Sequence, residues 1–61
     1  MKNLEVKIRD QKNIYIIPYE PDYDYDNNLT MCMRLTKHLP HGIMPEQWQR
    51  VMLGLYEYKI V

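Results

Sequence analysis

Cys32 is the only cysteine among the 61 residues, so no disulfide can join two parts of the chain. A chain of this length buries only about 60% of the surface that its unfolded form exposes. Small domains therefore often depend on disulfides, metals or a partner subunit for stability. We expect one domain over residues 1–61 with a thin apolar core, which a homodimer formed by sheet packing or edge pairing would enlarge.

The cysteine count also bears on the compartment, because small secreted domains tend to be rich in paired cysteines. The first residues contain no long apolar run of the kind found in signal peptides. No segment has about 18 consecutive apolar residues, the length that a membrane-spanning helix needs. The sequence thus predicts a soluble protein of the cytoplasm with no membrane partner.

The N-terminal third has the pattern of two strands. Strict alternation over residues 4–9, with apolar side chains at the even positions, is typical of a half-buried strand. Residues 14–17 are β-branched or aromatic and predict a second strand. The polar segment 10–13 between them favours an antiparallel hairpin. Pro18 ends the second strand or places it at a sheet edge, because proline has no N–H to donate to a ladder.

The C-terminal half predicts a third strand, a helix and a final strand. Apolar residues at the odd positions of segment 29–36 alternate with more polar ones, which indicates a strand. Pro45 suits the first turn of a helix, and Gly54 favours its end. Residues 56–61 alternate again and predict the last strand. One face of the predicted helix carries Trp48, Val51, Met52 and Leu55.

The predicted order is β-β-β-α-β. This order indicates a small two-layer α+β domain, in which one helix packs on a mainly antiparallel four-stranded sheet. Trp48 is expected to anchor the core. A single helix covers only part of one sheet face, so the other face would present residues such as Tyr15, Ile17 or Cys32 to solvent or to a partner.

The residues that could support thiol or zinc chemistry are Cys32, His38 and His41. Structural zinc needs four ligands, usually in two close pairs, and this chain has no second pair. A cysteine nucleophile would also need a base and an orienting group, and no such set is visible. We therefore expect no catalytic activity, no cofactor and no metal.

Three aspartates, Asp22, Asp24 and Asp26, match the start of an EF-hand calcium loop. Such a loop needs glycine at its sixth position and a bidentate glutamate at its twelfth. Asn27 and Met33 occupy those positions here, so an EF-hand is not expected.

Eight basic and eight acidic residues cancel, which removes the simplest argument for nucleic-acid binding. The acids are concentrated in residues 18–30, where no base occurs. If this segment is extended, tyrosine rings line one side and carboxylates the other at about 6.6 Å spacing, which could imitate a line of phosphates. The alternative is a solvated loop that only keeps the chain soluble. The predicted partner-binding residues are Tyr19, Glu20, Asp22, Tyr23, Asp24, Tyr25 and Asp26.

These observations favour a small regulatory or inhibitory protein that binds a larger macromolecule. Its contact would be the acidic Tyr/Asp segment, an open sheet face or a strand edge, and its target a protein, with a nucleic-acid-processing enzyme as one version. Small modulators encoded by phages and mobile elements have this size. Two other hypotheses stay open: a structural subunit whose edge strands extend a neighbour's sheet, and a nucleic-acid-binding module that uses Lys7, Arg9, Arg34 and Lys37.

Overall fold

The computed structural model describes residues 1–61 as a three-stranded antiparallel sheet with two helices on one face. The strands lie in the order β2-β1-β3, so β1 is central and both other strands are edges. Neither helix is long and apolar enough to cross a membrane. The elements are β1 (Asn3–Ile8), β2 (Ile14–Pro18), α1 (Asn28–His38), α2 (Pro45–Met52) and β3 (Tyr56–Ile60).

The predicted hairpin of the first two strands is confirmed, with Val6 of β1 opposite Tyr15 of β2. Val6 is also opposite Tyr58 of β3, so one face of the sheet collects apolar and aromatic side chains from all three strands. Asp10, in the turn between β1 and β2, has φ 67°. Asp tolerates this left-handed conformation better than most residues do.

The core lies between this face of the sheet and the helices, with α1 packed over β2 and α2 over β1. The two helices contact each other and lie on the same face, because the buried side chains of β1 and β2 all point to one side of the sheet. The other face, here called the open face, is uncovered. The buried apolar residues are Leu4, Val6, Ile8, Ile17, Tyr25, Met31, Cys32, Leu35 and Val51.

The prediction of a third strand over residues 29–36 is wrong, because this segment is helix α1. Asn27 caps the helix, and its side chain accepts a hydrogen bond from the N–H of Thr30 at 3.1 Å. Lys37 lies in the last turn, where its positive charge suits the helix dipole. Only the general α+β class of the predicted fold is therefore confirmed; the protein has three strands and two helices, not four strands and one helix.

The predicted helix that begins at Pro45 is confirmed, and its end agrees with Gly54, which has φ 79° two residues beyond Met52. The N–H of Met44 donates to the side chain of Gln47 at 2.9 Å, which satisfies one free donor at the helix start. Val51 is fully buried, whereas Trp48 is only half-buried and packs against the core from its margin. Trp48 is thus a flanking residue and not the centre of the core.

None of the three residues expected on an uncovered face lies there. Tyr15 is partly buried on the helix-covered face, where its hydroxyl accepts a hydrogen bond from Nε2 of Gln47 at 2.6 Å. Ile17 faces the helices from β2, and Cys32 lies inside the helix layer. The open face instead carries the side chains that alternate with the buried ones. On β2 these are Ile14, Ile16 and Pro18, which are exposed.

Candidate binding surface at the acidic loop

The segment Tyr19–Asp26, called here the acidic loop, folds into two successive turns and is not extended. The N–H of Tyr23 donates to the carbonyl of Glu20 at 3.3 Å, and the N–H of Asn27 donates to the carbonyl of Asp24 at 3.2 Å. Because the chain turns twice, the carboxylates do not form the evenly spaced row that an extended segment would give.

Tyr25 lies at the centre of the acidic loop and is buried, with 4% of its surface exposed. Its ring centroid is 5.8 Å from that of Tyr19, 6.4 Å from that of Tyr23 and 6.2 Å from that of Tyr58. Tyr58 in turn stacks on Tyr56 at 6.4 Å. These distances suit favourable aromatic pairs. The five rings, called here the tyrosine cluster, join the acidic loop to β3.

Three tyrosine hydroxyls fix the backbone and one carboxylate of the loop. The Tyr25 hydroxyl accepts a hydrogen bond from the N–H of Glu20 at 3.0 Å. The Tyr56 hydroxyl donates to the carbonyl of Tyr25 at 2.8 Å. The Tyr58 hydroxyl donates to Oδ1 of Asp26 at 2.6 Å. This last bond, followed by burial and the charge of Asp26, raises the pKa of Tyr58 to about 12.

Arg34 supports the loop from below, on α1. Its side chain is 4% exposed and forms an ion pair with Glu20, with 2.8 Å between Nη2 and Oε2. The guanidinium carbon also lies 4.3 Å from the ring centroid of Tyr23, a cation–π distance. The buried Nε of Arg34 has no hydrogen-bond partner. The pattern of residues 29–36 gave no sign of this role, because Arg34 was assigned to the polar side of a strand.

His38 lies one helical turn beyond Arg34, and its Nε2 is buried without a partner. Burial lowers the pKa of His38, and the positive charges of Arg34 and Lys37 lower it further. Burial raises the pKa of the Cys32 thiol, whose Sγ lies 3.6 Å from the carbonyl oxygen of Trp48. Cys32, His38 and His41 do not come together as metal ligands, since no group of three His, Cys, Asp or Glu side chains is arranged to hold a metal ion.

The predicted binding residues therefore divide into two sets. Tyr19, Glu20 and Tyr25 make contacts inside the protein, and Asp26 is exposed but bonded to Tyr58. Asp22 and Asp24 are exposed; Asp24 accepts a hydrogen bond from the N–H of Asp26 at 3.0 Å. Tyr23 is exposed as well, with 43% of its surface open to solvent and its ring over Arg34.

The basic residues proposed for nucleic-acid binding are not gathered on strand faces. Lys7 lies on the open face of β1, but Arg34 and Lys37 belong to α1, and Arg34 is buried in an ion pair. Lys7 and Arg9 border a shallow depression that also contains Asp10 and Glu57, so the acids offset the bases there.

Comparisons with known proteins find no relative of this chain: no family model, no curated protein and no solved structure matches it. The function must therefore be inferred from the geometry of the acidic loop and from the surfaces that the sheet leaves open.

Proposed function

We propose that this protein is a non-catalytic regulatory or inhibitory protein that binds a larger protein through the acidic loop. The observation that carries the proposal is the division within this loop. Tyr19, Tyr25 and Glu20 are fixed against the protein by ring contacts, a hydrogen bond and the ion pair with Arg34. Asp22 and Asp24, at its tip, remain exposed on this fixed support.

A fixed loop binds with less loss of conformational freedom than a mobile one, because its order exists before the partner arrives. The tip, Asp22 to Asp24, contains no base, so it suits a positively charged surface on the target. Tyr23 lies between the two carboxylates and offers exposed aromatic area beside them. The nearest candidates by chemistry are proteins with basic surfaces, among them enzymes that process nucleic acids.

The neutral net charge argues against imitation of nucleic acid by the whole protein surface. A protein that imitates nucleic acid over its whole surface usually carries a negative field, which this chain lacks. The attraction would be local to the loop tip, and salt should mainly slow association with the target. Small modulators of host enzymes, of the kind that phages and mobile elements encode, would act in this way.

The test compares two variants that each remove two negative charges. Asp22→Asn with Asp24→Asn changes the loop tip and leaves the Asp26–Tyr58 bond in place. The control is Asp10→Asn with Glu46→Gln, which lie in the turn after β1 and in the first turn of α2; Asn accepts the positive φ of position 10. Each tagged protein is used to capture binding proteins from a lysate of the source cells, and a captured protein is then purified and titrated.

The proposal predicts that one protein is retained stoichiometrically by the wild type and by the control, and lost by the loop variant. Equal retention by all three would place the contact elsewhere and contradict the loop proposal. Recovery of nucleic acid alone, lost at high salt, would support the nucleic-acid-binding hypothesis instead.

A further inference from the structure

We infer that the outer edge of β2 pairs with the same edge of a second copy of this chain, antiparallel, with Ile16 opposite Ile16 of the second copy. The inference rests on the sheet and is independent of the proposed function of the acidic loop. Three observations support it: the direction of the backbone groups on β2, the side chains on its open face, and the charges at its two ends.

The backbone of β2 has unpaired groups directed away from the sheet. The N–H of Tyr19 donates to the carbonyl of Lys2 at 3.1 Å, so this pair is one of the hydrogen-bonded pairs of the ladder. Such pairs alternate along antiparallel strands, so Ile17 and Tyr15 also bond to β1. The N–H and C=O groups of Ile14 and Ile16 therefore point outward, where another strand could bond to them.

The side chains on this strand do not protect the edge. Ile14 and Ile16 are 57% and 59% exposed, and Pro18 beside them is exposed as well. Natural edge strands usually carry charges that discourage pairing. The opposite edge, β3, follows this rule with Glu57 and Lys59 on the same face. β2 has only Pro18, which removes one donor at its end.

The proposed register follows from faces and charges. With Ile16 at the two-fold axis, Ile14 lies opposite Pro18 of the second copy, and the two exposed apolar strips join on one face. Lys12 and Glu20 lie two residues outside β2 on either side, so this register brings Lys12 of one copy near Glu20 of the other at each end. Ile16 is the middle residue of β2, so this register pairs all five residues of the strand, whereas an axis at Tyr15 would leave Pro18 opposite Lys12, outside the strand. Complete overlap of the two strands, with opposite charges at both ends, therefore favours the first register.

Glu20 can contact Arg34 of its own chain and Lys12 of the second copy together. One of its oxygens meets Arg34, and its side chain is still 47% exposed. In this dimer the two Glu20 residues are separated by eight positions of the ladder, or roughly 26 Å. The two acidic loops would thus lie at opposite ends of a continuous six-stranded sheet. Pairing of two short strands buries little area, so we expect a weak dimer that dissociates on dilution.

Disulfide trapping tests the register with a matched pair of variants, Ile16→Cys and Ile14→Cys. Both positions are equally exposed on the same strand and face. Cα atoms of a hydrogen-bonded antiparallel pair are about 5.5 Å apart, which a disulfide can span. Position 14 would be four residues, about 13 Å, from its own copy. Each variant is oxidised at several concentrations, beside the wild type, whose buried Cys32 gives the background.

The inference predicts that Ile16→Cys forms a covalent dimer about tenfold faster than Ile14→Cys, because pairing raises the effective concentration of its thiols. Analytical ultracentrifugation of the wild type should show that the dimer dissociates into monomers as the protein is diluted. Equal rates for the two variants, or no dimer from either, would overturn the inference. Faster cross-linking in a mixture of both variants than in Ile16→Cys alone would overturn the register.

Discussion

The acidic loop and the outer edge of β2 are neighbours in sequence but differ in how many of their groups have partners within the protein. The loop has irregular backbone, yet Tyr25, Arg34 and β3 fix its course. The strand is regular, yet its outer side leaves backbone groups unpaired, and its isoleucine side chains on the open face are more than half exposed. Regular secondary structure is therefore a poor guide to which surface has unmet binding capacity.

This difference assigns different tasks to the two regions. An internally anchored loop can display a few charges in one arrangement, as a recognition element requires. An unprotected edge strand offers main-chain bonds and apolar area, which another strand can use. Substitutions in the loop's support should consequently reduce stability, whereas substitutions on the open face of β2 should affect association.

The largest effect is expected from Tyr25→Ala. This change removes the central ring of the tyrosine cluster and the acceptor for the Glu20 N–H, so it should cost about 3–5 kcal/mol in free energy of unfolding. Urea denaturation measures this cost. Tyr23→Ala is the control, because 43% of that residue's surface is exposed, against 4% for Tyr25. If the two variants lose equal stability, the loop is not anchored through Tyr25.

A smaller but more specific effect is expected at the Glu20–Arg34 pair. Glu20→Gln leaves the buried guanidinium without its counter-charge and should cost about 2–3 kcal/mol, below the value for a fully buried pair because Glu20 is half exposed. Arg34→Met leaves only a solvated carboxylate and should cost less. Urea denaturation of both variants decides the order. A larger loss for Arg34→Met would mean that the guanidinium contributes chiefly through its contact with Tyr23.

The bond between Tyr58 and Asp26 should appear as a pH effect. Because the pKa of Tyr58 is about 12 in the folded protein and about 10 when unfolded, its stabilising contribution is complete below pH 10 and is lost as the pH rises toward 12. Asp26→Asn should return the Tyr58 pKa toward its ordinary value, as followed by NMR of labelled tyrosine. Asp22→Asn should leave it unchanged; a shift in both variants would indicate a general charge effect.

The smallest effect on folding is expected on the open face. Ile16→Ala should change the free energy of unfolding of the monomer by no more than about 0.5 kcal/mol, because the side chain is mostly exposed. The measurement is thermal or urea unfolding at high dilution. A cost of several kcal/mol would show that this side chain contributes to the monomer's core, and would remove the contrast between the two regions.

The sequence correctly predicted the elements whose pattern of apolar residues fits only a strand or only a helix. Alternation over residues 4–9 and the signals from Pro45 to Gly54 located β1 and α2. The apolar residues of segment 29–36 fit both the two-residue period of a strand and the 3.6-residue period of a helix. Its odd positions alternate as in a strand, but Met31, Cys32 and Leu35 also fall on one helical face, and tertiary packing selected the helix.

The acidic loop was recognised as a distinctive segment from composition, but its internal support was not. Tyr25 contacts Tyr58, and Glu20 contacts Arg34, across separations that no local pattern reveals. Arg34 was placed on a strand surface, where it would have been free to bind a phosphate. The correct assignment of α1 would have turned this residue toward the core, where a buried guanidinium needs a compensating charge such as that of Glu20.

The most direct test of the loop's internal anchoring is native-state hydrogen exchange of its backbone amides. The N–H groups of Glu20, Tyr23 and Asn27 have hydrogen-bond acceptors, whereas Asp22 is exposed at the tip. An anchored loop should show slow exchange at Glu20, Tyr23 and Asn27, and fast exchange at Asp22. Uniformly fast exchange over residues 20–27 would contradict the anchoring and, with it, the basis of the proposed binding surface.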